Sequence, residues 1–163
     1  MRERATRTKT FDFAIASRLM APVETVWAHA TSMAGVNREL WPLARMTHPR
    51  ALSTLDAGGV VLGEPLFRSW ILFLGFLPID FDDLTFVEME PGRRFLERSP
   101  MLSQRVWQHE RCVDPVAGGC VIEDRVRFTP RIAVLGRVQL PVFRWTFGLR
   151  HRNLRRLFGE IDR

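Results

Sequence analysis

The chain has 163 residues, 46% of them hydrophobic, and a formal net charge of +6 carried by 24 basic residues among which Lys9 is the only lysine. That length suits one domain and that apolar content suits a real core. Two cysteines, Cys112 and Cys120, are too few for a disulfide framework, and four scattered histidines lack ligand spacing, so neither a metal nor any other cofactor is expected.

Residues 1–10, rich in Arg and Thr, read as a flexible basic tail ahead of a single folded domain over residues 11–163. No apolar stretch follows the early charges, so no secretion signal is read and a cytoplasmic protein is expected. Phe11, Phe13, Ile15 and Ser17 alternate with small or polar residues, the pattern of a half-buried strand. Next, Pro22 suits a first helical turn, with Val23, Val26, Trp27 and Ala30 at helical spacing behind it. A second short helix is predicted through "GVNRELW", stopped by Pro42. The pattern then changes to strands at 50–55, 60–77, 81–90, 93–99, 104–114 and 120–129, with turns at "DAGG", "EPGR" and "DPVAGG".

Within these strands, Trp70 to Ile79 carries no polar side chain. It is far shorter than the roughly 20 residues a spanning helix needs, and Gly75 and Pro78 interrupt it, so no transmembrane segment is expected. A strand apolar on both faces is predicted to be covered on both. The last segment is the strongest helix: Leu140, Phe143, Phe147, Leu154, Phe158 and Ile161 recur at three and four residues or their sum, leaving Arg144, Arg152, Arg155 and Arg156 largely on the other side. His151 is placed on that polar side and His29 on the surface of the first helix.

Tight connections make the strands antiparallel neighbours, and a twisted sheet of this size curls. The predicted class is therefore α+β: a curved antiparallel sheet of about seven strands wrapped around a long C-terminal helix, with two short helices after the first strand. The apolar run becomes one wall of a space between helix and sheet.

This layout, with "APVETVWAHATS", "VEMEPGRRF", "WQHERCVDPVAGGCVIEDRVRF" and the terminal helix, resembles the SRPBCC superfamily, the helix-grip fold of START lipid-transfer domains, birch-pollen allergens and polyketide cyclases. The resemblance covers roughly residues 11 to 160, and its most specific part is Pro91, Gly92, Phe95, Trp107, His109, Gly118, Gly119 and Asp124. It implies seven strands gripping the last helix around an apolar cavity for a lipid-like or aromatic molecule. It implies no single reaction, since the superfamily holds carriers, sensors and enzymes.

A symmetric hairpin around "DPVAGG" sets His109 opposite Asp124 and Trp107 opposite Val126. Side-chain alternation then turns Trp107, His109, Arg111, Ile122, Asp124, Val126 and Phe128 inward, and Gln108, Glu110, Glu123, Arg125 and Arg127 outward. It also sets Cys112 and Cys120 on opposite faces. Phe95, Glu97 and Ser99 are expected on the same inner face, and Phe143 and Phe147 on the facing helix. The candidate ligand site is thus Phe95, Glu97, Trp107, His109, Arg111, Ile122, Asp124, Val126, Phe128, Phe143 and Phe147, apolar for affinity with a few polar groups for orientation.

Two functions follow. In one, the protein carries or senses a hydrophobic small molecule such as a lipid, isoprenoid or polyketide-like compound, with no chemistry. In the other it is a cyclase or dehydratase in which His109, oriented by Asp124, moves a proton while Arg111 steadies an oxyanion. With no tyrosine in the chain, no phenol can serve as the acid. The carrier is favoured, because an inward His beside an inward Asp is more often a structural pair. No nucleic-acid motif accompanies the basic charge, so no nucleic-acid partner is expected, while transient contact with a membrane surface stays open. The sequence leaves the oligomeric state undetermined.

Overall fold

In the computed structural model, which describes residues 9–56, 58 and 60–161, the chain runs β1 (Phe11–Leu19), α1 (Val23–Ala30), α2 (Met33–Leu40), β2 (Ala44–Met46), β3 (Pro65–Phe73), β4 (Leu77–Glu90), β5 (Arg94–Ser99), β6 (Gln104–Val116), β7 (Gly119–Pro130) and α3 (Gly136–Phe158). The seven strands form one antiparallel sheet in the order β1-β7-β6-β5-β4-β3-β2. This is the predicted curled sheet with a long C-terminal helix. The expected tail lies almost wholly outside the described residues, as does part of the expected turn at "DAGG".

One predicted strand is missing. Residues 50–55 form no strand, because their backbone pairs with the α1–α2 junction instead: the Leu55 amide donates to Thr31 O at 2.7 Å and the Met33 amide to Ser53 O at 2.9 Å. The second strand is the short β2, paired with Ile71 to Phe73.

The β6–β7 hairpin is shifted by two residues from the predicted register. Arg111 lies opposite Asp124, His109 opposite Val126 and Trp107 opposite Phe128. The ladder continues through Pro115 and Val116 to Cys120 and Gly119, which leaves Ala117 and Gly118 as the turn. Gly118 takes φ 83°, where a side chain would be strained, and a Cβ on Gly119 would collide with the Leu19 carbonyl of β1. A shift of two preserves alternation. The inward set therefore stands, with Trp107, His109, Arg111, Ile122, Asp124, Val126 and Phe128 all buried, and Cys112 and Cys120 are free.

The apolar run differs most from expectation. It forms the tip of the β3–β4 hairpin, and Trp70, Phe73, Leu74, Phe76, Leu77 and Ile79 are exposed, Phe76 by 72%. The reason is the position of α3. That helix rests on β1 and α2, with lighter contact to β7, and makes no extended contact with β3 or β4. Inward-facing Ile71 is consequently only partly buried, and Phe73 is open at its edge.

Two apolar cores result. One joins Leu19, Val26, Trp27, Met33, Phe86 and Leu154 beneath the short helices. The other joins Phe11, Phe13, Met101, Trp107, Phe128 and Phe147 beneath the first part of α3. No helix among the described residues is long and apolar enough to cross a membrane.

Candidate functional site

Between the two cores lies a buried polar network built from four elements. β7 supplies Asp124, β6 supplies His109 and Arg111, α2 supplies Glu39, and α3 supplies Arg150 and His151. Arg111 Nε and Nη2 donate to Asp124 Oδ1 and Oδ2, both at 2.7 Å. Its Nη1 and Nη2 donate to Glu39 Oε1 and Oε2, both at 2.9 Å. Arg150 Nε donates to Glu39 Oε2 at 2.9 Å. Asp124 is further engaged by His109 Nε2 at 2.8 Å and His151 Nε2 at 3.0 Å, and His151 Nδ1 meets the Ser17 hydroxyl of β1 at 2.8 Å.

Each carboxylate oxygen of Asp124 thus has two partners, and Arg111 forms two bidentate pairs. An ion unpaired at such depth would cost several kcal/mol. The balance shows in the proton affinities. Burial pushes the Asp124 and Glu39 carboxyls up, but Arg111 outweighs it, with His109 helping at Asp124 and Arg150 at Glu39. Asp124 lies well below the usual carboxylate range and Glu39 lies below it. For His109 burial pushes down, yet Asp124 and the bond to Glu97 prevail and raise it. The Arg111 proton is held more tightly than usual for the same reason.

This network corrects two expectations. His151 is fully buried, because it falls between Phe147 and Leu154 at four and three residues and so shares their face. His29 is partly buried with Nε2 3.6 Å from Glu39, and burial lowers its proton affinity. Sequence reasoning also passed over Glu39 and Arg150. Both had a signal: Glu39 follows Val36 by three residues on the inward side of α2, and Arg150 follows Phe147 by three on α3.

The expected lining residues do not form one wall. Phe95 and Ile122 belong to the core under the short helices. Trp107, Val126, Phe128 and Phe147 belong to the other, with Phe143 partly buried against it. Where a hollow was expected, rings meet: Phe143 lies 5.2 Å from Trp107 and 4.8 Å from Phe128, and His109 lies 5.2 Å from Phe147 and 5.5 Å from Phe95. Two surface depressions, of about 230 and 280 Å³, lie on the outer sheet face around Gln108 and Arg127 and at the α2–α3 corner around Trp41 and Asn153.

Beside the aromatic core, β3 to β6 carry a second polar group, in which the expected inward Glu97 and Ser99 are joined by Ser69, Asp82 and Gln104, which the sequence did not suggest. Glu97 accepts from Ser99 Oγ at 2.8 Å and lies 3.5 Å from His109 Nδ1. Asp82 is buried next to Glu97; burial first and Glu97 second raise its pKa well above the ordinary range. Ser69 Oγ, Asp82 Oδ1 and Gln104 Oε1 are buried without a partner among the described residues.

A protein-family model described as "Domain of unknown function (DUF8410)" matches residues 17–158. The chain belongs to this family. No match is found among curated proteins. Among solved structures, protein CV1439 from Chromobacterium violaceum is similar with a TM-score of 0.68 and 13% identity over 92% of this chain and 98% of that one. Ara h 8.0201 is similar with a TM-score of 0.58 and 10% identity over 89% and 95% of the two chains. The di-domain ARO/CYC StfQ from the steffimycin biosynthetic pathway is similar with a TM-score of 0.55 and 10% identity, over 92% of this chain and 52% of that one. Together they show the helix-grip fold of this DUF8410 member.

Proposed function

We propose that the protein is a carrier or sensor of the SRPBCC type, one domain from residue 11 onward, that binds a hydrophobic small molecule of lipid, isoprenoid or polyketide-like class. The molecule enters between the first half of α3 and the β3–β4 hairpin. The observation that carries this reading is the uncovered inner side of that hairpin, where Ile71 packs against the aromatic core, Phe73 two residues on is exposed, and α3 makes no extended contact. An apolar body there rests against Trp107, Val126, Phe128, Phe143 and Phe147, while the polar end meets Glu97 and His109. Half-buried Phe143 moves aside to admit it. Arg111 and Asp124 hold the floor and, being fully engaged, contribute no free hydrogen-bonding edge. Phe95 and Ile122 support that floor.

The same saturation weighs against catalysis, because Arg111 has no fork to offer an oxyanion. A cyclase or dehydratase reading retains His109, whose second ring nitrogen faces Glu97 at 3.5 Å. Similarity in fold to an ARO/CYC protein leaves that reading standing.

Native mass spectrometry of freshly purified protein tests the proposal. A copurifying apolar mass, released by denaturation and shifting the melting temperature when added back, is the expected result. A mass matching the bare chain, with no shift from a fatty acid, an isoprenoid alcohol or an aromatic polyketide, would sink it.

A further inference from the structure

We propose that the apolar rim formed by the β3–β4 tip, the α2–β2 corner and the first half of α3 docks on an anionic lipid bilayer. Leu74 and Phe76 at the tip are 49% and 72% exposed, Trp41 at the corner 65%, and Val138, Val142 and Trp145 on the helix 63%, 52% and 55%. The spacing of four and three residues puts the helical three on one stripe. The tip adjoins the corner, where the Leu74 amide donates to Leu43 O at 2.8 Å, and the corner is tied to the second half of α3, where Asn153 donates to Trp41 O at 2.8 Å. This many large apolar side chains left exposed on neighbouring elements mark an interaction face.

Charge identifies the occupant. From Arg125 to Gly159 the sequence has no acidic residue, so all of α3 is free of them. Exposed Arg137 and Arg144 flank the helical stripe, and exposed Arg38 and Arg45 flank the corner. An apolar stripe with tryptophan at its edge and arginines beside it fits the boundary between acyl chains and anionic headgroups. A second copy of the chain fits badly, because two-fold pairing of this face would set its arginines against their own copies.

The full chain is mixed with vesicles of phosphatidylcholine alone and of phosphatidylcholine with an equal share of phosphatidylglycerol, and binding is read by cosedimentation. Binding to the mixed vesicles, at least about tenfold weaker on phosphatidylcholine alone and weakened at about 0.5 M salt, is expected. Quenching of the wild-type tryptophans by lipids brominated on the acyl chain shows insertion without any variant. Phe76→Asp and Val142→Asp, each at an exposed site, should each lower binding at least about tenfold with an unchanged melting temperature. The proposal is overturned if the wild type stays in solution, if the brominated lipids do not quench, or if folded variants bind as the wild type does. It is also overturned by a reversible dimer in sedimentation velocity that Phe76→Asp dissociates, which would assign the face to a second copy.

Discussion

The two halves of α3 carry similar numbers of apolar residues yet live in different worlds. From Phe147 onward the helix is anchored by Arg150 to Glu39, by His151 to Asp124 and Ser17, and by Leu154 in the core. Before it, Val138, Val142 and Trp145 face outward, Pro141 removes one intrahelical hydrogen bond, and Phe143 is only partly buried. Gly148 lies near the boundary, just inside the second half, at a cost of about 1 kcal/mol relative to alanine in a helix interior. Polar pairing fixes the second half, whereas the first is held by ring contacts, which are what the proposed ligand would displace. On the proposed function, one end of the helix is scaffold and the other is adaptable.

The largest effect should come from breaking the scaffold. Arg111→Met leaves Glu39 and Asp124 buried without their main counter-charge, and about 3 to 5 kcal/mol of stability should be lost in denaturant unfolding. A loss below about 1 kcal/mol would mean the network is not the anchor. Its pH dependence has a definite sign. Asp124 and Glu39 have folded pKa values below their unfolded ones, so the stability they supply is present above about pH 4 and disappears as the pH falls through their folded values. His109, raised on folding, adds stability that is complete below its unfolded pKa and fades as the pH rises through its folded one.

Next in size is His151→Leu, which deprives both Ser17 and Asp124 of a partner and should cost about 1 to 3 kcal/mol, measured by thermal unfolding. Asp82→Asn acts in the opposite direction. Burial and Glu97 raise the Asp82 pKa, so its ionisation destabilises the fold as pH rises past the ordinary aspartate value. The amide should raise the melting temperature near pH 8 and make little difference near pH 3. Equal effects at both would show that Asp82 is not strained by ionisation. Smallest is Gly148→Ala: open space surrounds the position, so about 0.5 to 1 kcal/mol should be gained. Hydrogen exchange of residues 136–146 should remain faster than that of 150–157 in both proteins, and equal rates would erase the contrast between the halves.

How much of this was legible follows the same division. Local alternation was enough for β1, β4, β5 and the β6–β7 face, because the inward parity survives a shift of two residues and Trp107, His109 and Asp124 had an unambiguous wet face opposite them. The position of the turn was not legible, since Pro115 reads as punctuation but sits in the ladder opposite Cys120. His151 was misplaced because the arginines around it suggest a wet face, and its polar partners, Ser17 and Asp124, are 134 and 27 residues away in the chain. The Trp70–Ile79 run was the hardest case. An apolar strand looks the same in sequence whether a helix covers it or stops short, and only the seat of α3 on β1 and α2 decides.

The most direct test of the central claim is a titration of dansyl-undecanoic acid, followed by its fluorescence, into the wild type, Phe73→Asp and His109→Gln, with melting temperatures recorded beside each. Phe73 belongs to the uncovered hairpin wall and His109 to the ionic floor. The account predicts saturable binding by the wild type and a loss of about tenfold or more in Phe73→Asp at nearly unchanged stability, because a charge is placed where the acyl chain lies. His109→Gln removes a contact to the polar end alone, so affinity should fall by clearly less than in Phe73→Asp. Affinity lost in folded His109→Gln and retained in Phe73→Asp would contradict it.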